Sequence, residues 1–110
     1  MYKYRAKLIK VIDGDTIDAN IDLGFNIWTK KRVRFLGINA PETRTRDLVE
    51  KQAGLATKSR LEALFGASNG QFTLKSHGVG KYGRVLGEIF IDEVNINKLL
   101  IKEGLAEEYR

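Results

Sequence analysis

The chain has 110 residues, 19 lysines and arginines against 14 aspartates and glutamates, and a formal net charge of +5. That length suits one domain over residues 1–110 with an apolar core of its own, and the positive balance favours a polyanionic partner such as nucleic acid. Without cysteine, a thiolate zinc site and a thiol nucleophile are both excluded, and no apolar run is long enough to span a bilayer, so a soluble chain with no membrane partner is expected.

The first elements alternate. Tyr2, Tyr4, Ala6 and Leu8, then Ile9, Val11 and Ile12, keep a two-residue rhythm with lysines and Arg5 between them, which predicts a strand over 2–12. Asp13-Gly14 punctuates the run. From Thr16 to Leu23 the alternation resumes, so two antiparallel strands joined by a tight turn are expected. Gly24 to Lys30 then leads to a third strand over 31–38. Phe25 and Trp28 at that hairpin tip are expected to fold against the strands, with stacking on nucleotide bases as the competing reading.

The third strand runs into Asn39-Ala40-Pro41-Glu42-Thr43, a proline-marked turn that offers an amide oxygen, a carbonyl and a carboxylate together. Arg34 precedes it by a few residues. Phosphodiester chemistry needs cations over the phosphoryl oxygens and a carboxylate near the attacking water, and this stretch has both. Asp13-Gly14-Asp15-Thr16 and Lys81-Tyr82-Gly83-Arg84 are expected to complete it.

A polar loop, Glu42 to Arg46, precedes a helix over 47–65, in which Leu48, Val49, Gln52, Ala53, Ala56, Arg60, Ala63 and Leu64 recur near helical spacing. Gly66 is placed as its C-terminal cap, and Gly54 within it points to close packing. A fourth strand over 71–76 and a fifth over 84–92 flank a glycine-rich loop from His77 to Gly83. His77 has no second histidine or cysteine and reads as an exposed loop residue. Asn95 caps a short final helix in which Ile96, Leu99 and Leu100 share a face, with Gly104 after it and Leu105 packing back. Mainly β with helices (α+β), five short strands with a helix after the third match a Greek-key barrel of the oligonucleotide-binding type, the OB-fold.

With these residues placed, the chain resembles the staphylococcal nuclease (thermonuclease) family. The likeness rests on Val11-Ile12-Asp13-Gly14-Asp15-Thr16, Arg34 with Pro41-Glu42-Thr43, Lys81-Tyr82-Gly83-Arg84, Val94-Asn95 and Glu103-Gly104-Leu105-Ala106, in that order. It implies a five-stranded barrel with about three helices. It also implies a calcium-dependent (Ca²⁺) phosphodiesterase acting on DNA and RNA that are single-stranded or locally open, cutting at the 5′ P–O bond and leaving 3′-phosphate ends; a monomer is the default expectation. On that likeness Asp15, Asn39 and the carbonyl of Ala40 would hold the metal. Glu42 would orient or deprotonate the attacking water, Arg34 and Arg84 would grip the phosphate, and Lys81 and Tyr82 would line the nucleotide's phosphate end.

One departure is visible: Asn39 and Ala40 stand where the best-known member has an aspartate ligand and a threonine. Asp13, one strand period from Asp15, could make up the missing charge, and the hairpin between Asp15 and Arg34 is longer than in that member. Taken singly, Arg34 reads rather as a barrel arginine paired with Glu42, Asp15 as a turn residue and Arg84 as a surface charge; the order of the motifs is what favours the catalytic reading. A binding barrel of weak or lost catalysis is the alternative. The N-terminus lacks an apolar export segment, which leaves an intracellular or phage-encoded enzyme and a trimmed secreted form both open.

Overall fold

The structure, a computed structural model, describes residues 2–109. The alternating N-terminal run forms one long strand, β1 (Tyr2–Asp13), whose first half pairs with β5 (Gln71–Val79) and whose second half pairs with β2 (Thr16–Asp22). Register shifts between Leu8 and Lys10 and between Val11 and Asp13 bend it, which is how one strand serves two sides of a closed sheet. β2 pairs with β3 (Trp28–Phe35), and β5 pairs with β6 (Val85–Ile91). A short parallel contact between β3 and β6, Val33 to Val85 through Phe35 to Gly87, closes the five-stranded barrel.

Inward positions fill that barrel. Ile17, Val33, Phe35, Leu74 and Ile89 are fully buried, joined by Leu61 and Phe65 of α1 (Leu48–Ala67) and by Ile96 and Leu100 of α2 (Ile96–Lys102). Phe65 meets Phe72 edge-on, with ring centroids 5.3 Å apart. The Asn95 side chain accepts from Lys98 N–H at 3.1 Å and caps α2 as its sequence position predicts. Buried Asn97 clamps α2 to the barrel. Its amide donates to the carbonyls of Leu36 and Gly87 and accepts from Ile89 N–H, so the burial costs no unmet hydrogen bond.

Several expectations need correction. The described residues contain two helices, not about three. The short β7 (Val94–Asn95) pairs back on β6 ahead of α2; after Gly104 the chain extends instead, and β8 (Glu107–Glu108) pairs with β4 (Ile38–Asn39). Gly37, at φ 81°, turns the chain between β3 and β4, so the third strand stops at Phe35. On α1 the buried face is Gly54, Thr57, Leu61 and Phe65, whereas Leu48 and Val49 are 72% and 78% exposed. Gly66 lies inside α1. The end is made by Ser68, with Asn69 in the left-handed region and Gly70 N–H returning to the Phe65 carbonyl. His77 is neither loop nor exposed. It is half-buried in β5, with Nε2 2.8 Å from Glu88 Oε1. Burial pushes the Glu88 carboxyl up, but hydrogen bonds from Asn95 and His77 outweigh it and hold the group below its ordinary range. At the β2–β3 tip Phe25 is 98% exposed and Trp28 52%, so neither aromatic folds in as expected.

Between β2 and β3 the buried Asp18 takes two hydrogen bonds from Arg32, at 2.9 and 3.2 Å. The Arg32 hydrogen bond lowers the Asp18 carboxyl from its ordinary 3.8 despite the opposing effect of burial. A carboxyl depressed in the folded state contributes fully above its unfolded pKa and loses that contribution as pH falls through the folded value. Asp18→Asn is therefore expected to cost about 1 kcal/mol at neutral pH. The gap from the parent in thermal melts should close as pH drops below about 4, the carboxylate reference range.

Candidate functional site

Three separated segments meet where β3 joins β6. The β1–β2 turn has Gly14 and Asp15 at its centre, since Asp13 pairs with Thr16. A Cβ on Gly14 would lie 2.5 Å from Thr57 Cγ2 and 2.8 Å from the Ala40 Cβ, so only glycine lets the turn sit between α1 and the residue before Pro41. The carboxylate of Asp15 then reaches back into the chain. Its Oδ2 accepts from Ala40 N–H at 3.0 Å and lies 3.6 Å from Arg34 Nη2, while its Oδ1 accepts from the Thr16 hydroxyl at 3.0 Å.

Arg34 is held by register and by hydrogen bonding. It pairs with Thr16 on one side and Leu86 on the other, its Nη1 donates to the Phe35 carbonyl at 2.8 Å, and its side chain is 15% exposed. Arg34, Asn39, Arg84, Leu86 and Tyr109 line one open cavity of about 490 Å³. Both arginines therefore face a common space. The Arg34 guanidinium carbon lies 6.0 Å from the Tyr109 ring centre, and that of Arg84 5.7 Å from the ring of Tyr82. Tyr82 and Lys81 stand exposed in the Gly80–Arg84 loop, which is closed by Gly80 N–H donating to the Arg84 carbonyl at 2.8 Å.

A second cavity of about 420 Å³ adjoins the first and shares Asn39 with it. Ala40, Pro41, Glu42, Glu50 and Glu107 are among its lining residues. Helix α1 sets this side. Asp47 caps it by accepting from Val49 and Glu50 N–H, and Glu50 Oε1 accepts from Glu42 N–H at 3.3 Å. Gly54 lies so close that a Cβ there would be 2.6 Å from the Glu42 carbonyl oxygen. One turn on, the buried Thr57 hydroxyl donates to the Leu105 carbonyl at 2.6 Å. The same helix thus seats the Asp15 turn, the Glu42 segment and the residues after α2.

Asp13 is engaged elsewhere: its carboxylate accepts from the Thr43 hydroxyl and ties the β1–β2 turn to the loop carrying Glu42. Tyr109 belongs to none of the motifs above. It reaches the arginine cavity because β8 pairs with β4 and Tyr109 N–H donates to the Gly37 carbonyl at 2.9 Å, a long-range pairing that no local pattern announces. Thr16, Thr43 and Glu50 were not foreseen as supports either. Among the described residues no group of three or more histidine, cysteine, aspartate or glutamate side chains is placed to hold a metal. Ala40 N–H is the contact that ties the Asp15 carboxylate to the Asn39–Ala40 turn, and Asp15 itself is not among the residues lining the two cavities that Asn39 shares.

Fold and site together define a closed five-stranded barrel of the oligonucleotide-binding type, with two arginines and Asn39 lining one open cavity. Residues 32–110 match the family described as staphylococcal nuclease homologue, and the chain belongs to that family. It is 30% identical over 116 residues to the micrococcal nuclease of Shigella flexneri, covering 97% of this chain and 59% of that protein. It is 31% identical over 110 residues to Endonuclease YncB of Bacillus subtilis, covering 94% of this chain and 50% of that one. Against the thermonuclease of Staphylococcus hyicus identity is 32% over 106 residues, covering 91% and 56% respectively. The chain spans about half the length of the curated relatives it matches. No helix among the described residues is long and apolar enough to cross a membrane.

Proposed function

We propose that the chain is a phosphodiesterase that hydrolyses DNA and RNA, with Arg34 and Arg84 gripping the scissile phosphate and Glu42 serving the attacking water. The observation that carries this reading is the convergence of both arginines and Asn39 on one cavity, with the Glu42 cavity beside it. Attack of water on phosphorus raises the negative charge on its equatorial oxygens, and planar guanidinium groups meet those oxygens with paired N–H donors. In this scheme the bond to the 5′ oxygen breaks, that oxygen takes a proton from solvent water as it leaves, and a 3′-phosphate remains. Glu42 orients the water and accepts its proton. Lys81 and Tyr82, exposed beside Arg84, line the phosphate end of the nucleotide.

The residues that the likeness assigns to the metal would supply only hard oxygens, which fits calcium and offers nothing to a softer ion. Asp15, Asn39 and the Ala40 carbonyl would hold it. When bound, it would polarise a phosphoryl oxygen and lower the pKa of a coordinated water. With one carboxylate, already shared with Arg34 and Ala40 N–H, affinity should be low, because it follows ligand charge. Asn39→Asp is accordingly expected to tighten calcium binding about tenfold, by isothermal titration, an effect on the scale of one added charge contact. Weaker binding would remove Asn39 from the ligand set.

That Asn39 brings an amide where the resemblance expects a second carboxylate also favours a second reading, a nucleic-acid-binding barrel with little catalysis. Incubation of single-stranded DNA with the chain, with calcium or with chelator, separates the two. Calcium-dependent fragments with 3′-phosphate ends support the first. Salt-sensitive binding without fragments supports the second.

A further inference from the structure

The outward positions of β3 are Trp28, Lys30, Arg32 and Arg34, alternating with the inward-facing series that ends in buried Val33 and Phe35. Arg34 belongs to the candidate site; the other three lead away from it. Successive members of the row stand about 6.7 Å apart, the two-residue rise of a strand, so the row runs about 20 Å from Arg34 to Trp28. That step is comparable to one nucleotide of an extended single strand. In register, Lys30 faces Asn20 of β2, which faces Lys7 of β1, and all three are exposed. Arg84 stands just before the parallel pair Val33–Val85, and shares a cavity with Arg34.

The far end of the row is aromatic. The β2–β3 loop is pinned by Leu23 N–H donating to the Ile27 carbonyl at 2.8 Å and Ile27 N–H donating to the Gly24 carbonyl at 2.9 Å. Within it Phe25 and Asn26 take φ values of 56° and 61°, a region costly for a bulky side chain, and the Phe25 ring projects wholly into solvent. Trp28 lies half-exposed at the edge of a cavity of about 420 Å³ that it shares with Arg5, Phe72, Thr73 and Phe90. No core contact accounts for an exposed phenylalanine held in a strained turn. Cations at nucleotide spacing that end on flat rings are what a single-stranded polynucleotide needs: phosphates meet the charges and bases stack on the rings.

We propose that the outer face of β3 is a track for single-stranded nucleic acid, running from Arg34 over Arg32 and Lys30 to base-stacking positions at Trp28 and Phe25. The proposal rests on the phosphodiesterase reading for its direction, since it extends the same site's substrate by several nucleotides. Arg32 is shared with Asp18, so Lys30 is the phosphate contact that can be removed without unpairing a buried carboxylate.

The test is fluorescence anisotropy of labelled oligothymidylates of two and eight nucleotides, with chelator present so that nothing is cut. Trp28→Ala and Phe25→Ala should each reduce the eight-to-two affinity ratio about tenfold, and Trp28→Phe should restore most of it. Lys30→Ala should shallow the dependence of log affinity on log salt by about 0.7. An unchanged ratio in both alanine variants overturns the track. Capture of anionic phosphatidylserine vesicles that Phe25→Ala abolishes, with octamer affinity unmoved, also overturns it and assigns the ring to a lipid surface. Failure of the phosphodiesterase reading looks different: no fragments appear with calcium, while the ratio still responds to the ring variants.

Discussion

Replacing Arg84 with alanine is expected to lower the rate of single-stranded DNA cleavage about 10²-fold or more, the scale of losing one preorganised donor to developing negative charge. The argument is electrostatic. Arg34 and Arg84 reach one cavity from β3 and from the loop residue just before β6, so a phosphate there meets guanidinium groups from both sides of the barrel seam. Such donors cost little reorganisation as charge builds on phosphorus. The loss should fall on kcat more than on KM, because the contact strengthens in the transition state. Arg84→Lys should recover only part of the rate, since an ammonium is a point charge without the paired geometry. Glu42→Gln is expected to fall as far, because the amide cannot accept the proton of the attacking water. The fold should persist in all three. Arg84 anchors its loop through its backbone carbonyl, and its side chain touches only the Tyr82 ring among the contacts described. Single-turnover cleavage with thermal melts in parallel checks both halves, and a variant that cuts at the parent rate would place the chemistry elsewhere.

Why these residues could be found in the sequence, and others not, follows from the range of the interactions involved. Arg34 stood out because alternation is local: a strand of period two announces which face each residue takes, and Pro41 marks where it ends. The cap at Asn95 and the turn at Gly104 are likewise set by a few neighbouring backbone groups. The close packing expected at Gly54 is there, but the rest of the helix face was misread because its buried positions include a threonine as well as Leu61 and Phe65. Gly54 and Thr57 are inside because of what α1 touches, namely backbone carbonyls of Glu42 and Leu105, and not because they are apolar. Tyr109, the His77–Glu88 pair and the Asp13–Thr43 tie join segments distant in sequence, so nothing in a short window signals them. Phe25 broke the expectation that large aromatics seek the interior, and its position is the starting point for the β3 track.

The two glycines of α1 should respond to the same substitution with opposite sign. At Gly66 the position of a Cβ is open, with nothing within 4 Å, so Gly66→Ala gains helix propensity and restricts the unfolded chain. A gain of about 0.5–1 kcal/mol is expected, with no change in cleavage. At Gly54 the added carbon would lie 2.6 Å from the Glu42 carbonyl oxygen and 2.7 Å from that of Pro41. Those are backbone atoms, which cannot turn aside as a flexible side chain would. Either α1 retreats from the barrel, loosening the Thr57 bond to Leu105 and the seat of Gly14, or the Glu42 segment shifts outward. Overpacking of this kind costs about 1–3 kcal/mol, more than the propensity gain returns. Gly54→Ala should therefore melt roughly 5–15 °C lower, on the usual conversion for a domain near this size. Because the carbonyl displaced belongs to Glu42, cleavage at a temperature where the variant is fully folded should also fall, about tenfold or more for an ångström of misplacement. Lowered stability with parent-level cleavage would mean that α1 supports the barrel without positioning Glu42, and the carboxylate's placement would then depend on its own loop, through the Thr43 tie to Asp13.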